Sequence, residues 1–132
     1  MTIPKFTILA HRGLFDHHPE NSMGAVTAAL DEGFGLEVDV RVTRDHIPVL
    51  IHDQDTQRLS GHKISVAEST FDEIKSLSLE NTAETIAALA DVLNLPAIGD
   101  TEVAIHLKEI QHPNVAEILI DAVPKSVLDN VF

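Results

Sequence analysis

The sequence predicts an α/β fold in which parallel strands alternate with helices. Three observations lead to this prediction. Residues 6–10 form a short apolar run that ends on polar residues, a helical pattern follows, and residues 36–42 then alternate between apolar and polar side chains. A further alternating segment, residues 103–110, follows two more helical patterns. Strands and helices that alternate in this way are typical of a parallel sheet.

The first unit of this fold is a strand, a loop and a helix. Residues 6–10 are predicted to form a buried strand. Asn21 or Ser22 then caps a helix, because either side chain can accept hydrogen bonds from the free N–H groups of a first helical turn. Gly33 is predicted to end this helix in a left-handed conformation.

The next two segments are predicted to form an antiparallel hairpin. Residues 36–42 have one apolar face for the core and one polar face available for chemistry. Only about five residues separate them from the apolar run at residues 48–51, whereas a parallel crossover needs a dozen or more. The chain is therefore expected to turn near residues 45–46.

The register of this hairpin is predicted from the position of its turn. Pairing Thr43 with Pro48 would place Asp39 opposite His52. Because strand side chains alternate with a period of two, a slip of one residue would change which side chains share a face.

Two helices are predicted after the hairpin. Thr70 with Glu73, and Asn81 with Glu84, have the spacing of an N-cap residue and its partner three positions later. Each pair is therefore expected to open a helix.

A strand, a last helix and the beginning of another strand are predicted at the C-terminal end. In the strand at residues 103–110, His106 and Lys108 share a face. Asn114 is predicted to cap the last helix. Residues 131–132 are apolar and resemble the opening of a further strand.

The composition excludes several classes of protein. The 132 residues include 9 Lys and Arg against 21 Asp and Glu, so the formal net charge is −12. This charge argues against nucleic acid and anionic membrane surfaces as partners, and it favours a cation. The absence of cysteine excludes a disulfide scaffold and a Cys nucleophile.

Neither a signal peptide nor a membrane span is predicted at the N-terminus, so we expect a cytoplasmic protein with a single domain over residues 1–132.

Titratable side chains gather where the predicted strands end. His11 and Arg12 follow the first strand, Glu37 and Asp39 lie on the polar face of the second, and His52 follows the third. Two carboxylates on one strand face repel each other, and a divalent cation such as Mg²⁺, Ca²⁺ or Mn²⁺ would relieve that repulsion. Histidines transfer protons near neutral pH, and an arginine can bind a phosphate oxygen. The set therefore predicts phosphoryl chemistry.

Four motifs, in this order, resemble the glycerophosphodiester phosphodiesterase family. They are AHRG (10–13), PENS (19–22), LEVDVRVTRD (36–45) and PVLIHD (48–53). The resemblance implies a TIM-type barrel that is incomplete in this chain, roughly its N-terminal half, because a full barrel takes about 250 residues. It also implies metal-dependent hydrolysis of small-molecule glycerophosphodiesters to glycerol 3-phosphate and an alcohol.

The resemblance implies roles for individual side chains, in four groups. They are the acid/base pair His11 and His52, the metal ligands Glu37 and Asp39, the phosphate contacts Arg12 and Lys108, and the supporting residues Glu20 and Asn21. Asp53 is expected to order its loop rather than to take part in catalysis.

The sequence departs from the family pattern at one position. Where the resemblance implies an E-x-K pattern, the chain has His106, Leu107 and Lys108. An imidazole in place of a carboxylate should weaken binding of Mg²⁺ or Ca²⁺ and favour Mn²⁺, Co²⁺ or Zn²⁺. Two interpretations of His106 stay open: a metal ligand, or a core histidine hydrogen-bonded to a neighbouring strand.

A second hypothesis belongs to a different functional class. A half-barrel could be a non-catalytic remnant that binds a phosphate-bearing ligand or associates with itself. An open parallel sheet exposes unpaired edges and an apolar face, so a homo-oligomer formed through these edges is a further expectation.

Overall fold

The computed structural model describes residues 6–108 and 112–132, which are built around a mixed sheet. Its strands are β1 (Leu9–His11), β2 (Gly35–Val42), β3 (Pro48–Leu50) and β4 (Val103–Leu107). Glu37 of β2 pairs with both His11 and Ala104, so β1 and β4 run parallel to β2 on its two opposite edges. β3 is antiparallel to β2 and continues the edge that β1 begins. The parallel strands predicted from the sequence are therefore present.

The described residues also form five α-helices and two short 3₁₀ helices. They are α1 (Met23–Asp31), α2 (Gln57–Ser60), α3 (Phe71–Ile74), α4 (Leu89–Leu93) and α5 (Val115–Ala122), with 3₁₀ turns at Pro96–Ile98 and Lys125–Asn130. None of these helices has the length and apolar character needed to cross a bilayer.

Two predicted helix caps are confirmed. The Ser22 hydroxyl accepts a hydrogen bond from the Ala25 N–H at 3.1 Å, which opens α1. Thr70 and Glu73 form a reciprocal capping box at the start of α3. Gly33, just beyond α1, has the predicted left-handed conformation with φ of 77°. The local sequence therefore determines where these two helices begin and where α1 ends.

The cap predicted at Asn81 is wrong. Asn81 has a left-handed φ of 57°, and α4 begins only at Leu89. The residues before α4 are extended along β3, where the Leu50 N–H donates to the Ala87 carbonyl at 2.9 Å. Pairing with a strand has replaced the helical turn that the spacing predicted.

The β2–β3 hairpin forms one residue away from the predicted register. Val42 pairs with Pro48, whereas Thr43 closes the loop on Ile47. The Thr43 N–H donates to the Ile47 carbonyl at 3.1 Å, and the Ile47 N–H donates to the Thr43 hydroxyl at 3.0 Å. His46 has a φ of 66°, so the three-residue loop ends on a left-handed residue, as in common hairpins of this length.

The predicted position of His52 opposite Asp39 is consequently wrong. Ile51 lies beside Asp39 instead, and its N–H donates to the Asp39 carbonyl at 3.0 Å. His52 follows in the loop beyond β3, where strand alternation no longer determines the direction of its side chain.

The described residues form two core clusters, and alternate residues around β3 belong to different ones, Leu50 to the first and Val49 and Ile51 to the second. One cluster lies between β2, α1 and α4, and the other lies under the hairpin and α3. Leu36, Val38 and Val40 of β2 are fully buried in the first cluster. Full burial of such a side chain stabilises the fold by about 1.5–3 kcal/mol. The apolar face of β2 is therefore fixed, and its alternate residues form the polar face that the sequence predicts.

The C-terminal end adds the beginning of another parallel strand. Val131 bridges to Val103, and the Phe132 N–H donates to the Val103 carbonyl at 2.9 Å. The isolated parallel bridge of Val131 agrees with the predicted opening of a strand at this end. β4 ends at Leu107, so the predicted strand is too long at Lys108, and residues 109–110 of its predicted range lie outside the described part of the chain.

Candidate active site

Asp39 is a buried carboxylate held from several directions. Its side chain is 1% exposed, its Oδ2 accepts a hydrogen bond from Asn21 Nδ2 at 3.1 Å, and its N–H donates to Asn21 Oδ1 at 3.2 Å. Arg12 Nε lies 3.0 Å from Oδ2 as an ion pair, with its N–H not aligned on that oxygen. A buried carboxylate needs such partners because burial without them is costly. The predicted supporting role of Asn21 corresponds to this two-point contact.

The loop after β1 is strained in a way that brings Arg12 and Asn21 to Asp39. Arg12 and Asn21 have left-handed φ values of 59° and 56°, and the Asn21 N–H donates to the Arg12 carbonyl at 2.9 Å. Gly13 follows with φ of 75°, and a Cβ there would lie 2.6 Å from the Ala25 backbone. Non-glycine residues persist in this conformation only where surrounding contacts impose it. The hydrogen bond between Asn21 and Arg12 thus brings the AHRG and PENS motifs together beside the Asp39 carboxylate.

Glu37, Asp39 and His106 form a cluster with the donor set of a metal site. His106 Nδ1 lies 3.7 Å from Glu37 Oε1 and 3.6 Å from Asp39 Oδ1, and one ligand atom from each residue lies within 4.8 Å of the others. Glu37 Oε2 is buried and has no hydrogen-bond partner among the described residues. A buried oxygen without a donor is costly, and two carboxylates with one imidazole suit a divalent cation. The residues present therefore fit such an ion.

The β2–β4 register explains the position of His106. Asp39 pairs with His106, so their side chains lie on the same face of the sheet. Lys108 lies on that face too, with Nζ 3.7 Å from Asp39 Oδ1. The His106 side chain is 57% exposed, so the alternative of a core histidine is wrong. Its predicted direction toward Glu37 and Asp39 is confirmed, and its role as a ligand stays a prediction.

His11 lies at the edge of the same cluster. Its Nε2 is 3.8 Å from Glu37 Oε2, and its side chain is 66% exposed at the end of β1. Its position is compatible with proton transfer to a bound molecule, and its predicted catalytic role stays a prediction.

His52 is connected to the first loop through a chain of charged side chains. His52 Nδ1 lies 2.9 Å from Asp53 Oδ1, and Arg58 Nε donates to Asp53 Oδ2 at 2.9 Å. Arg58 Nη1 donates to Glu20 Oε1 at 2.8 Å, and Arg12 Nη1 donates to Glu20 Oε2 at 2.8 Å. Glu20, predicted as a supporting residue, is therefore the carboxylate that two arginines share.

The pKa values of the two carboxylates reflect this arrangement. The hydrogen bonds from Arg58 are the main cause that lowers the pKa of Asp53 to about 2, with a smaller contribution from His52. Arg58 is also the main cause of the lowered pKa of Glu20, and Arg12 adds to it. The pKa of Arg58 is raised in turn by its hydrogen bonds to Glu20 and Asp53. All three groups therefore stay charged near neutral pH.

Arg58 follows the PVLIHD motif in the stretch that continues the family resemblance, but its place in this site was not predicted. It lies 5 residues after Asp53 and 38 after Glu20, so only the fold brings the three together. Asp53 contacts both a histidine and an arginine, in agreement with its expected role in ordering the loop. The sequence signal that could have pointed to Arg58 is its position five residues after Asp53, in the turn that follows the His52–Asp53 pair.

The parallel strands β1, β2 and β4 alternate with helices, and Glu37 and Asp39 of β2 lie beside His11 and His106, where β1 and β4 end. This arrangement is that of a partial TIM-type barrel with its site at the usual end. The model of the glycerophosphoryl diester phosphodiesterase family matches residues 11–125. The chain belongs to this family. The glycerophosphodiester phosphodiesterase of Caldanaerobacter subterraneus subsp. tengcongensis is 33% identical over 128 residues, which cover 90% of this chain and 53% of that protein.

Solved structures of the same family agree with this assignment. The glycerophosphodiester phosphodiesterase of Agrobacterium tumefaciens superposes with a TM-score of 0.81 at 25% identity, covering 97% of this chain and 57% of that one. The corresponding protein of Thermotoga maritima gives 0.78 at 27% identity, covering 98% and 54%. The predicted family and the predicted partial barrel are confirmed. The chain spans about half the length of these relatives.

Proposed function

We propose that the chain acts as a metal-dependent phosphodiester hydrolase that cleaves glycerophosphodiesters to glycerol 3-phosphate and an alcohol. The observation that carries the proposal is the cluster of Glu37, Asp39 and His106, with ligand atoms within 4.8 Å of one another and Lys108 beside it. Membership of the phosphodiesterase family supports the reaction class. The names of the curated relatives support the substrate class, a small-molecule glycerophosphodiester.

The metal cluster and two basic side chains would bind the charged phosphodiester group. A divalent cation held by Glu37, Asp39 and His106 would neutralise charge on the phosphodiester. Lys108 adds a positive charge on the same face of the sheet, 3.7 Å from Asp39, where a phosphate oxygen can contact it. Arg12 is the second proposed phosphate contact, and it also holds Asp39 and Glu20 in place.

His11 and His52 are the proposed acid/base pair. One imidazole accepts a proton from the neighbouring glycerol hydroxyl or from a water molecule, and the other donates a proton to the leaving alcohol. Both histidines have a nitrogen near a carboxylate, at 3.8 Å for His11 and Glu37 and at 2.9 Å for His52 and Asp53. The hydrogen bond with Asp53 orients the His52 ring, whereas His11 lies near Glu37 without a hydrogen bond to it.

The preferred ion follows from the donor set. Two carboxylates alone would suit Mg²⁺ or Ca²⁺, which are the ions that the family resemblance implies. The imidazole of His106 is a better ligand for Mn²⁺, Co²⁺ or Zn²⁺, so we infer that these ions bind more tightly here.

Hydrolysis of glycerophosphocholine by the 132-residue chain tests the proposed activity. Release of glycerol 3-phosphate is measured with Mn²⁺, Mg²⁺ or Zn²⁺ present and after chelation. His11→Ala and His52→Ala should each lower turnover by ~10²-fold or more, with little effect on stability. His62→Ala, at an exposed loop position, is the matched control and should leave turnover unchanged. No metal-dependent release of glycerol 3-phosphate with any of the three ions would contradict the activity.

One observation favours the second candidate, a non-catalytic half-barrel that associates with itself or binds a phosphate-bearing ligand. Large apolar side chains are exposed next to the two outer strands: Phe6 and Ile8 before β1 are 78% and 61% exposed, and Phe132 is 67% exposed. A second copy could cover them by pairing along the sheet edges. Light scattering after size exclusion would detect this dimer, and a monomer at all concentrations would contradict self-association.

The charge and the fold together limit the other partners in this proposal. A net charge of −12 opposes binding to nucleic acid, and no membrane insertion is proposed. A cytoplasmic location is part of the same proposal.

A further inference from the structure

Arg58 occupies a fixed position between the two loops that carry the proposed catalytic side chains. It is the second residue of α2, which begins after Thr56, a fully buried residue. The Thr56 hydroxyl donates to the His62 carbonyl at 2.5 Å and ties the beginning of this short helix to the turn that follows it. Gly61 ends the helix with a left-handed φ of 77°. The backbone around Arg58 is therefore held by its own turn.

The guanidinium of Arg58 contacts two carboxylates at once, each through two nitrogen atoms. Nε and Nη2 donate to Asp53 Oδ2 and Oδ1 at 2.9 and 3.1 Å. Nη1 and Nη2 donate to Glu20 Oε1 and Oε2 at 2.8 and 3.0 Å. Glu20 is 7% exposed and also accepts from Arg12 at 2.8 Å. Only a planar fork with five N–H groups can make this set of contacts, so a lysine could not replace it.

The contact between Asp53 and His52 determines which ring nitrogen carries the proton. An ionised carboxylate is only an acceptor, so His52 Nδ1 must be the donor in the 2.9 Å contact. The lowered pKa of Asp53, about 2, keeps the carboxylate ionised in the neutral pH range. In the neutral ring, Nε2 then has the free lone pair that a general base requires.

We propose that Arg58 is a positioning residue that holds the Asp53 carboxylate in place. Through this carboxylate it keeps the His52 proton on Nδ1 and leaves the Nε2 lone pair free to accept a proton. The same guanidinium also donates to Glu20, but Arg12 has its own hydrogen bond to that carboxylate at 2.8 Å, so Arg58 acts on the reaction through Asp53 and His52. The catalytic part of this inference rests on the proposed function, whereas the state of the His52 ring does not depend on it.

Nitrogen NMR of the histidine rings in the 132-residue chain tests the ring state directly. Long-range ¹H–¹⁵N spectra at pH 8 report which nitrogen carries the proton, and the signals of His52 are assigned by their loss in His52→Gln. The wild type should show mainly the Nδ1–H form. Arg58→Gln and Asp53→Asn should both lose this preference, and Arg44→Gln should retain it. Arg44 is a suitable control because it is 61% exposed and contacts neither loop.

Arg58→Lys serves as a second variant in case Arg58→Gln does not fold. It keeps the positive charge and loses the fork, so it should also lose the preference for the Nδ1–H form. An unchanged ring state in a folded Arg58 variant would overturn the proposal, because the position of Asp53 would then not depend on Arg58. An Nε2–H majority in the wild type would overturn it as well.

Kinetics with glycerophosphocholine separate positioning from general structure. Arg58→Gln should lower kcat roughly tenfold or more while KM changes little, because a misplaced base affects the reaction rather than binding. In a His52→Ala background, Arg58→Gln should cost almost nothing more if it acts through that ring. An additive loss would overturn the proposal. A chain that hydrolyses nothing but shows the expected ring states would refute the proposed function and leave the positioning role of Arg58 intact.

Discussion

The helices α1 and α5 are similar in length and differ in how they are held. α1 has 9 residues, buries Ala25, Val26 and Ala29, and begins with a hydrogen-bonded Ser22 cap. α5 has 8 residues and buries none of them, and the side chain of Asn114 makes no capping hydrogen bond. Both follow a strand of the same sheet, so the difference lies in the neighbours available to each. An amphipathic pattern predicts where a helix forms, but the residues that pack against the helix determine how much it contributes to stability.

The candidate active site reflects the same difference between the two regions. Asp39 comes from the packed N-terminal region, is 1% exposed and is held by Asn21 and Arg12. His106 comes from the C-terminal region and is 57% exposed, with contacts of 3.6 and 3.7 Å to the acids. The acidic half of the site is therefore preorganised, whereas the imidazole half can adjust to an ion.

Core truncation should show the largest difference between the two regions. Leu36→Ala removes a fully buried side chain of β2 and should lower the free energy of unfolding by about 3 kcal/mol. Ile120→Ala, at a position of α5 that is 64% exposed, should change it by less than about 0.5 kcal/mol. Urea denaturation of both variants measures the two values. Equal losses would mean that α5 is covered in solution, for example by a second copy of the chain.

Metal binding should separate Asp39 from His106. An ion at 100 times its Kd stabilises the wild type by about 2.7 kcal/mol, measured as the difference in unfolding free energy with and without Mn²⁺. Asp39→Asn should remove most of this difference, whereas His106→Ala, which leaves both carboxylates, should keep about half if affinity falls tenfold. Asp121→Asn, an exposed carboxylate on α5, is the matched control and should keep all of it. Equal differences in the wild type and Asp39→Asn would exclude this cluster as the metal site.

Much of the fold could be predicted because local chemistry determines it. The strict alternation of β2, the Ser22 cap and the capping box of Thr70 all depend on residues close in sequence. The failures involve competition between local and distant partners. The spacing of Asn81 and Glu84 suits a helix cap, but the residues before α4 pair with β3 instead. The hairpin register depended on one left-handed residue, His46, whose conformation no pattern specifies.

The site was predictable where it lies on a strand and less so where it lies in loops. Period-two alternation places His106 and Lys108 on the face of Asp39, as the structure shows. The position of His52 follows from the hairpin register and the loop after it, and the predicted pairing was wrong by one residue. Arg58 contacts Glu20, which is 38 residues away, and such a contact requires the folded chain.

His106→Glu should change the relative affinities of the site for Mg²⁺ and Zn²⁺, and so test what the C-terminal half of the site contributes to ion binding. A third carboxylate adds negative charge and a hard oxygen ligand, so affinity for Mg²⁺ should rise about tenfold, which corresponds to about 1.4 kcal/mol. Affinity for Zn²⁺ should rise less or fall, because the nitrogen ligand is lost. Calorimetric titration of both proteins with each ion measures the change. An unchanged Mg²⁺ isotherm would show that His106 does not contact the ion and would favour the non-catalytic half-barrel.

The smallest expected effect concerns the pH dependence of stability on the hairpin side of the site. The pKa of Asp53 is about 2 in the folded chain, below its ordinary value of 3.8, so its contribution is present above pH 3.8 and is lost as the pH falls toward 2. We expect this contribution to be about 1 kcal/mol, less than the shift alone implies, because Arg58 is 47% exposed and solvent screens the pair. Urea denaturation at pH 6 and pH 3 should therefore show a smaller loss of stability in Arg58→Gln than in the wild type. Lys125→Gln should lose as much as the wild type, since Lys125 is exposed and contributes to the lowered pKa of none of Glu20, Asp45 and Asp53. The same loss in Arg58→Gln and the wild type would mean that another group holds the Asp53 carboxylate in its ionised form.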